Sequence, residues 1–276
     1  MRIIDTHLHL VYRDRFSYPW LIKEAALNRD WTLRQYRAEA DAAGITAMLH
    51  MEVDVAERDM ERETAFATSV DPQVIGAIAA CRPENPDFPQ LLERLAGNPK
   101  VRGLRRILHQ APDELSQTPL FAANIKLLAG HALTFDFCVL PHQIPLAAKF
   151  AADNPDVQFV VDHCGNPNIK DRVVEPWRAN ITAIARLPNV ACKMSGIVAY
   201  GGADWTTEDL RPYAAHVIES FGWDRVVWGS DWPVCTLHAD LTRWVAATHE
   251  LIAGASEDEK ARLLSRNAER IYRLPV

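Results

Sequence analysis

Two short stretches hold the residue types that can do chemistry: Ile3-Ile4-Asp5-Thr6-His7-Leu8-His9, and Trp228-Gly229-Ser230-Asp231-Trp232-Pro233 near the other end. An apolar run ending in His-x-His sets two imidazoles on one face of a strand, because side chains two residues apart point the same way. Asp231, closing the apolar run Val226-Val227-Trp228, is the complementary group, and a carboxylate there is costly to bury unpaired. Two histidines and an aspartate brought together hold a metal ion or activate a water. The expected chemistry is hydrolytic. Taken singly, each residue has a plainer reading: His7 and His9 as hydrogen-bonded strand-end residues, and Asp231 as the cap of the following turn.

The elements that must bring these stretches together recur at roughly 30-residue intervals, the spacing of repeated β-loop-α units. The pattern predicts strands near 2–9, 45–52, 74–81, 101–107, 133–140, 158–163, 190–195 and 225–230. Asp71-Pro72, Asn98-Pro99, Asn154-Pro155 and Leu187-Pro188 each stand just before a strand, where proline ends a helix and opens an extended segment. A helix is expected over Leu33–Ala43 with Thr32 as N-cap and Gly44 as its stop. Eight parallel strands with intervening helices close most economically as a (β/α)8 TIM barrel. A doubly wound open sheet is the competitor, but no Gly-x-Gly-x-x-Gly follows the first strand and no P-loop is present. One domain over residues 1–276 is expected, with a long first βα loop (Leu10 to Asp30) and an extra C-terminal helix, Glu257–Tyr272.

Composition agrees. A chain of 276 residues suits one α/β barrel, and 48% hydrophobic against 24% charged residues makes a full core and excludes disorder. The net charge of -6, with scattered basic residues, argues against a nucleic-acid surface. No run is long enough to cross a membrane, and the N-terminus passes into a strand without a signal-peptide pattern. Five cysteines without a C-x-x-C point to reduced thiols and a cytoplasmic location, each read as a small buried hydrophobe.

A barrel also orders the remaining polar residues, since its chemistry sits at the strand C-termini. His50 with Glu52, Arg105 with Arg106, His142, His163 and Ser195 all fall there. His163, after Val160-Val161-Asp162, is either a rim hydrogen-bonder or a partner of the first pair. His142, in Leu140-Pro141-His142-Gln143, follows a proline able to swing it onto a loop. By alternation only one of Arg105 and Arg106 faces the mouth, where a guanidinium suits a carboxylate or a carbonyl oxygen gaining charge. His50 and Glu52 read equally as supports and as a surface link. Trp20, Trp31, Trp205 and Trp232 lie in loops on this rim, as packing or as a wall against a ring.

Ile4-Asp5-Thr6-His7-Leu8-His9, Tyr18-Pro19-Trp20-Leu21, Ala26-Leu27-Asn28-Arg29, Arg102-Gly103-Leu104-Arg105, Asp162-His163-Cys164-Gly165 and Gly229-Ser230-Asp231-Trp232-Pro233 together resemble the amidohydrolase superfamily. The likeness is strongest to its sugar-lactonase branch, which includes L-fuconolactonase, L-rhamnonolactonase and 2-pyrone-4,6-dicarboxylate lactonase types. It spans nearly the whole chain. The resemblance implies a lactone-opening hydrolase with Asp231, His163 and His142 catalytic. Arg105, Trp20 and Trp232, read from their chemistry on the rim, are expected with His142 to bind substrate. His7, His9 and Asp231 would hold one divalent ion, zinc, if a metal is used; related lactonases also include metal-independent enzymes. Binuclear members carry a lysine on a middle strand. Strands four and five here have none, and Lys193 lies on strand seven, so a two-metal centre is not expected. The partner expected is a small-molecule lactone, with no nucleic acid and no membrane, and with a homo-oligomer left open. The rivals are a metal-dependent non-oxidative decarboxylase of the same superfamily and a catalytically inert binding barrel.

Overall fold

The computed structural model describes residues 1–275. Among them are eight strands: β1 (Ile3–Leu8), β2 (Ile45–Met51), β3 (Val74–Ala80), β4 (Val101–Ile107), β5 (Thr134–Cys138), β6 (Gln158–Val161), β7 (Val190–Ser195) and β8 (Val226–Gly229). Each pairs in parallel with the next in chain order. The seam between β8 and β1 is closed by Asp231 N–H donating to the His7 carbonyl at 2.8 Å and His9 N–H donating to the Trp232 carbonyl at 2.8 Å. Thr6 Oγ1 donates to the Trp228 carbonyl at 2.7 Å. Gly229 allows this approach, because a Cβ there would lie 2.7 Å from the His7 Cβ. The barrel is a (β/α)8 TIM barrel.

The intervening helices are α1 (Leu33–Ala40), α2 (Met60–Ser69), α3 (Phe88–Ala96), α4 (Pro119–Lys126), α5 (Leu128–His131), α6 (Ile144–Ala152), α7 (Trp177–Ile184), α8 (Thr207–Phe221) and α9 (Leu241–Leu251). At α1, Thr32 and Gln35 form a reciprocal capping box, and Leu33, Tyr36 and Ala40 make the buried stripe. The helix ends three residues short of the expected Ala43; a turn follows, closed by Gly44 at φ +80°. The C-terminal helix is also interrupted: α10 (Glu257–Ala261) passes through a π turn at Arg262–Arg266 into α11 (Asn267–Ile271). Such a turn inserts an extra residue and rotates the following face. Here Leu263, Leu264, Ala268 and Ile271 all end buried.

Ile4, Leu49, Ile78, Val160, Ala191 and Val227 pack in the barrel interior, where Tyr272 and Leu274 join them from the C-terminal segment. The opposite end, where the strands finish, is left for polar groups. Among the described residues no helix is long and apolar enough to cross a membrane.

Candidate active site

Alternation along β1 and its exit carries His7 and His9 to the mouth, where the seam delivers Asp231 beside them. His7 Nε2 lies 3.1 Å from His9 Nε2 and 3.6 Å from Asp231 Oδ1, and His9 Nε2 lies 3.3 Å from that same oxygen. Asp231 adopts φ +57°, and Gly196, also at positive φ, leaves the space its side chain fills. His9 Nδ1 is 3.0 Å from the Met51 carbonyl, which requires the proton on Nδ1 and leaves the Nε2 lone pair facing the site.

His163 stands on the other side of Asp231, its Nδ1 3.7 Å from Oδ2 and 2.9 Å from Ser195 Oγ. Burial opposes its charge, but the Asp231 carboxylate raises its pKa to about 8. Burial, opposed by the Asp162 carboxylate and reinforced by the charges of His163 and Lys193, pushes the fully enclosed His7 well below the usual imidazole range, which favours its neutral ring. Arg105 comes up from β4. Its Nε donates to Glu52 Oε1 at 2.6 Å, Nη2 donates to the Glu52 carbonyl at 2.8 Å, and Nη1 lies 3.3 Å from His7 Nε2 and 3.4 Å from Asp162 Oδ2. Burial works against the guanidinium charge, but Glu52 outweighs it and raises the Arg105 pKa. Arg106 points the other way, with Nε on Glu84 at 2.9 Å.

These groups floor a pocket of about 610 Å³ whose upper wall includes Trp20, Leu21, Leu27, Val53 and Leu237. His9, Arg105, His163 and Asp231 all reach it. His7 lies beneath them, fully buried. His109, Gln110, Tyr200 and His238 also line it and were not singled out in the sequence. Their only signal is a position shortly after β4, β7 and β8.

Two expected site residues lie elsewhere. His142 sits on an exposed turn, its side chain 58% accessible and 3.4 Å from Asp113. β5 ends four residues earlier, at Cys138, and Val139-Leu140-Pro141 carries the chain away from the mouth. Cys138 takes the place at the pocket wall, 3.2 Å from His109 Nδ1. Trp232 is 1% exposed and packs edge-on against Trp31 and Tyr36, because the turn that sends Asp231 into the mouth sends its neighbour outward into the core. Trp31 and Trp205 are likewise buried, each with its indole N–H on a backbone carbonyl. Of these four tryptophans only Trp20 lines the pocket. Glu52 is the buried carrier of Arg105, whereas His50 pairs with Glu63 behind the barrel wall at 2.7 Å.

The His7, His9 and Asp231 atoms fit one metal ion. Their separations of 3.1, 3.3 and 3.6 Å bracket the edge of about 3.4 Å that a tetrahedron with bonds near 2.05 Å requires. Two ring nitrogens facing each other at 3.1 Å also call for a cation or a proton between them. A second cluster, His7, Asp162 and His163, does not fit. Asp162 is already held by the Lys193 ammonium at 2.9 Å and Arg105 at 3.4 Å.

Barrel and mouth together define an α/β-barrel protein whose reactive groups are carried on strand ends, as in enzymes of that architecture. Residues 4–274 match the amidohydrolase family, and the chain belongs to it. It is 32% identical to an L-fucono-1,5-lactonase of Burkholderia multivorans, over 99% of this chain and 96% of that one. It is 29% identical to an L-fucono-1,5-lactonase of Burkholderia ambifaria, over 98% and 95%. A crystal structure of an amidohydrolase from Burkholderia multivorans with bound zinc superposes with a TM-score of 0.89, at 27% identity and full coverage of both chains.

Proposed function

We propose that this protein opens a lactone ring by hydrolysis, and that its substrate is a sugar-derived aldonolactone such as L-fuconolactone or L-rhamnonolactone. The observation that carries the reading is Asp231, placed between His9 and His163 on the floor of a pocket that also receives the Arg105 guanidinium. The names of the relatives support the same class.

The reaction needs a nucleophilic water, a polarised carbonyl and a proton for the departing alkoxide. Asp231 takes the proton from a water as its oxygen attacks the lactone carbonyl carbon. Charge gathers on the carbonyl oxygen, toward which Arg105 and His163 are the available donors. The ring C–O bond then breaks, and Asp231 returns the proton to the leaving oxygen, giving the hydroxy acid. A divalent ion held by His7, His9 and Asp231 would supply Lewis acidity at this floor. An ester-like ring is electrophilic enough to open without a second metal.

The test is a pH-indicator screen of aldonolactones and aromatic acids on protein whose metal content has been measured. Acid release from an aldonolactone is expected. Release of CO₂ from an aromatic acid would replace this reading with a decarboxylase, and no turnover of either would leave a binding barrel. The same sample is expected to hold one equivalent of divalent metal, lost in His9→Asn; two tightly held equivalents would refute the single-ion site.

Trp20 is the pocket-wall residue of the first loop. It is half-buried, with its indole donating to the Val53 carbonyl at 2.8 Å. Trp20→Ala is expected to raise KM several-fold or to alter the preference among lactones, because a long loop after the first strand is a binding element. The lost indole hydrogen bond, about 1 kcal/mol, accounts for about 2–4 °C of the accompanying fall in Tm, to which the half-buried ring's packing on the core adds. A large fall in Tm with unchanged kinetics would assign Trp20 to packing.

A further inference from the structure

TIM-barrel interiors are ordinarily filled by branched apolar side chains. This one contains a fully buried lysine. Lys193, in the middle of β7, places Nζ 2.6 Å from Asp136 Oδ2 on β5 and 2.9 Å from Asp162 Oδ1 beside β6. Tyr272, from the C-terminal segment, donates its hydroxyl to Asp136 Oδ2 at 2.9 Å, and Thr134 Oγ1 donates to Asp136 Oδ1 at 3.2 Å. Well-packed apolar residues would stabilise the barrel as well or better than such a cluster. None of its three charged members lines the pocket.

Its connection to the pocket is Asp162. This carboxylate is shared among Lys193, Arg105 and His7, whose Nδ1 lies 3.5 Å from Asp162 Oδ1. His7 Nδ1 otherwise has no partner and is sealed from water. With a carboxylate oxygen in front of it, Nδ1 carries the ring proton, and the lone pair falls on Nε2, the atom that faces His9 and Asp231. Without an ammonium behind it, the Asp162 side chain has no anchor on the barrel side.

We infer that Lys193 is a positioning residue: through Asp162 it holds His7 as the Nδ1-protonated tautomer, with Nε2 presented to the reacting centre. This rests on the reading of His7 and Asp231 given under the proposed function. Lys193 touches neither substrate nor the reacting atoms; its effect passes through two side chains.

Lys193→Met strands two buried carboxylates, so it is made both alone and together with Asp136→Asn, which removes the outer one. Expected for both is a kcat lowered about 10–100-fold with KM changed less than threefold, the loss typical of removing an outer hydrogen-bond partner. The double variant is expected to recover Tm but not kcat. Histidine nitrogen NMR on isotope-labelled, chelator-stripped protein reads His7 directly, since an ion on Nε2 would itself fix the tautomer, and its signal is assigned by its absence from His7→Asn. The parent is expected to show Nδ1–H, and both Lys193 variants a shift toward Nε2–H. A double variant with parental kcat, or an unchanged His7 tautomer in either variant, overturns the inference. If the parent opens no lactone, the proposed function fails, and the His7 signal still decides what Lys193 does.

Discussion

Asp231→Asn is expected to fold as the parent does and to lose about 10²–10⁴-fold in kcat, the contribution of a positioned base. The substitution keeps the shape of the side chain. The backbone of residue 231 is pinned at φ +57° by its N–H on the His7 carbonyl, and the space beside Gly196 accepts either side chain. What changes is the oxygen between His9 and His163: an amide has one acceptor where the carboxylate has two, and no charge. The water proton then has no base at the floor, and the leaving alkoxide has no returning acid. Stopped assays on the chosen lactone, with Tm measured on the same preparation, check this. Near-parental turnover at unchanged Tm would remove Asp231 from the mechanism and leave it as the cap of the β8 turn.

What could be read from the amino-acid order was whatever depends on neighbours along the chain. The proline positions before β3, β4, β6 and β7 and the apolar runs placed the strands to within a few residues. Period-two alternation put His7 and His9 on one side of β1, and the order of a closed barrel brought Asp231 to them. What escaped depends on where a strand stops and what lies across the barrel. β5 was expected to run to residue 140, which would have carried His142 to the rim. It ends at Cys138, and the two-residue difference exchanges a histidine for a thiol at the pocket wall. Trp232 was misplaced for a related reason, since a residue at positive φ reverses the alternation that a strand would have kept. Lys193 and Asp136 are charges inside the apolar runs of β7 and β5, and neither was given a role from the sequence. Nothing along either strand says that each is the other's partner, because that pairing exists only once both strands face the same interior.

Arg105 is expected to separate activity from stability in two substitutions. In Arg105→Met, the buried Glu52 carboxylate loses the guanidinium that donates to it at 2.6 Å, and Asp162 loses a second cation. Breaking such a pair costs about 3–5 kcal/mol, which in a chain of this length lowers Tm by roughly 6–20 °C. Arg105→Lys keeps the charge near Glu52 and is expected to hold most of that stability. It cannot reproduce the planar fork, whose Nε and Nη2 grip the side chain and the carbonyl of Glu52 while Nη1 reaches His7 and Asp162. A guanidinium has five N–H donors, these four contacts occupy four of them, and Arg105 lines the pocket in which the lactone carbonyl oxygen would need a donor. An ammonium drawn back toward Glu52 leaves that oxygen without its donor. Both variants are therefore expected to lose about 10²–10³-fold in kcat/KM, the usual effect of deleting one donor to a developing oxyanion. Only the methionine variant should also melt early. Parental kcat/KM in Arg105→Lys would show that the fork serves Glu52 alone, and carbonyl polarisation would pass to His163 or to the ion at His7, His9 and Asp231.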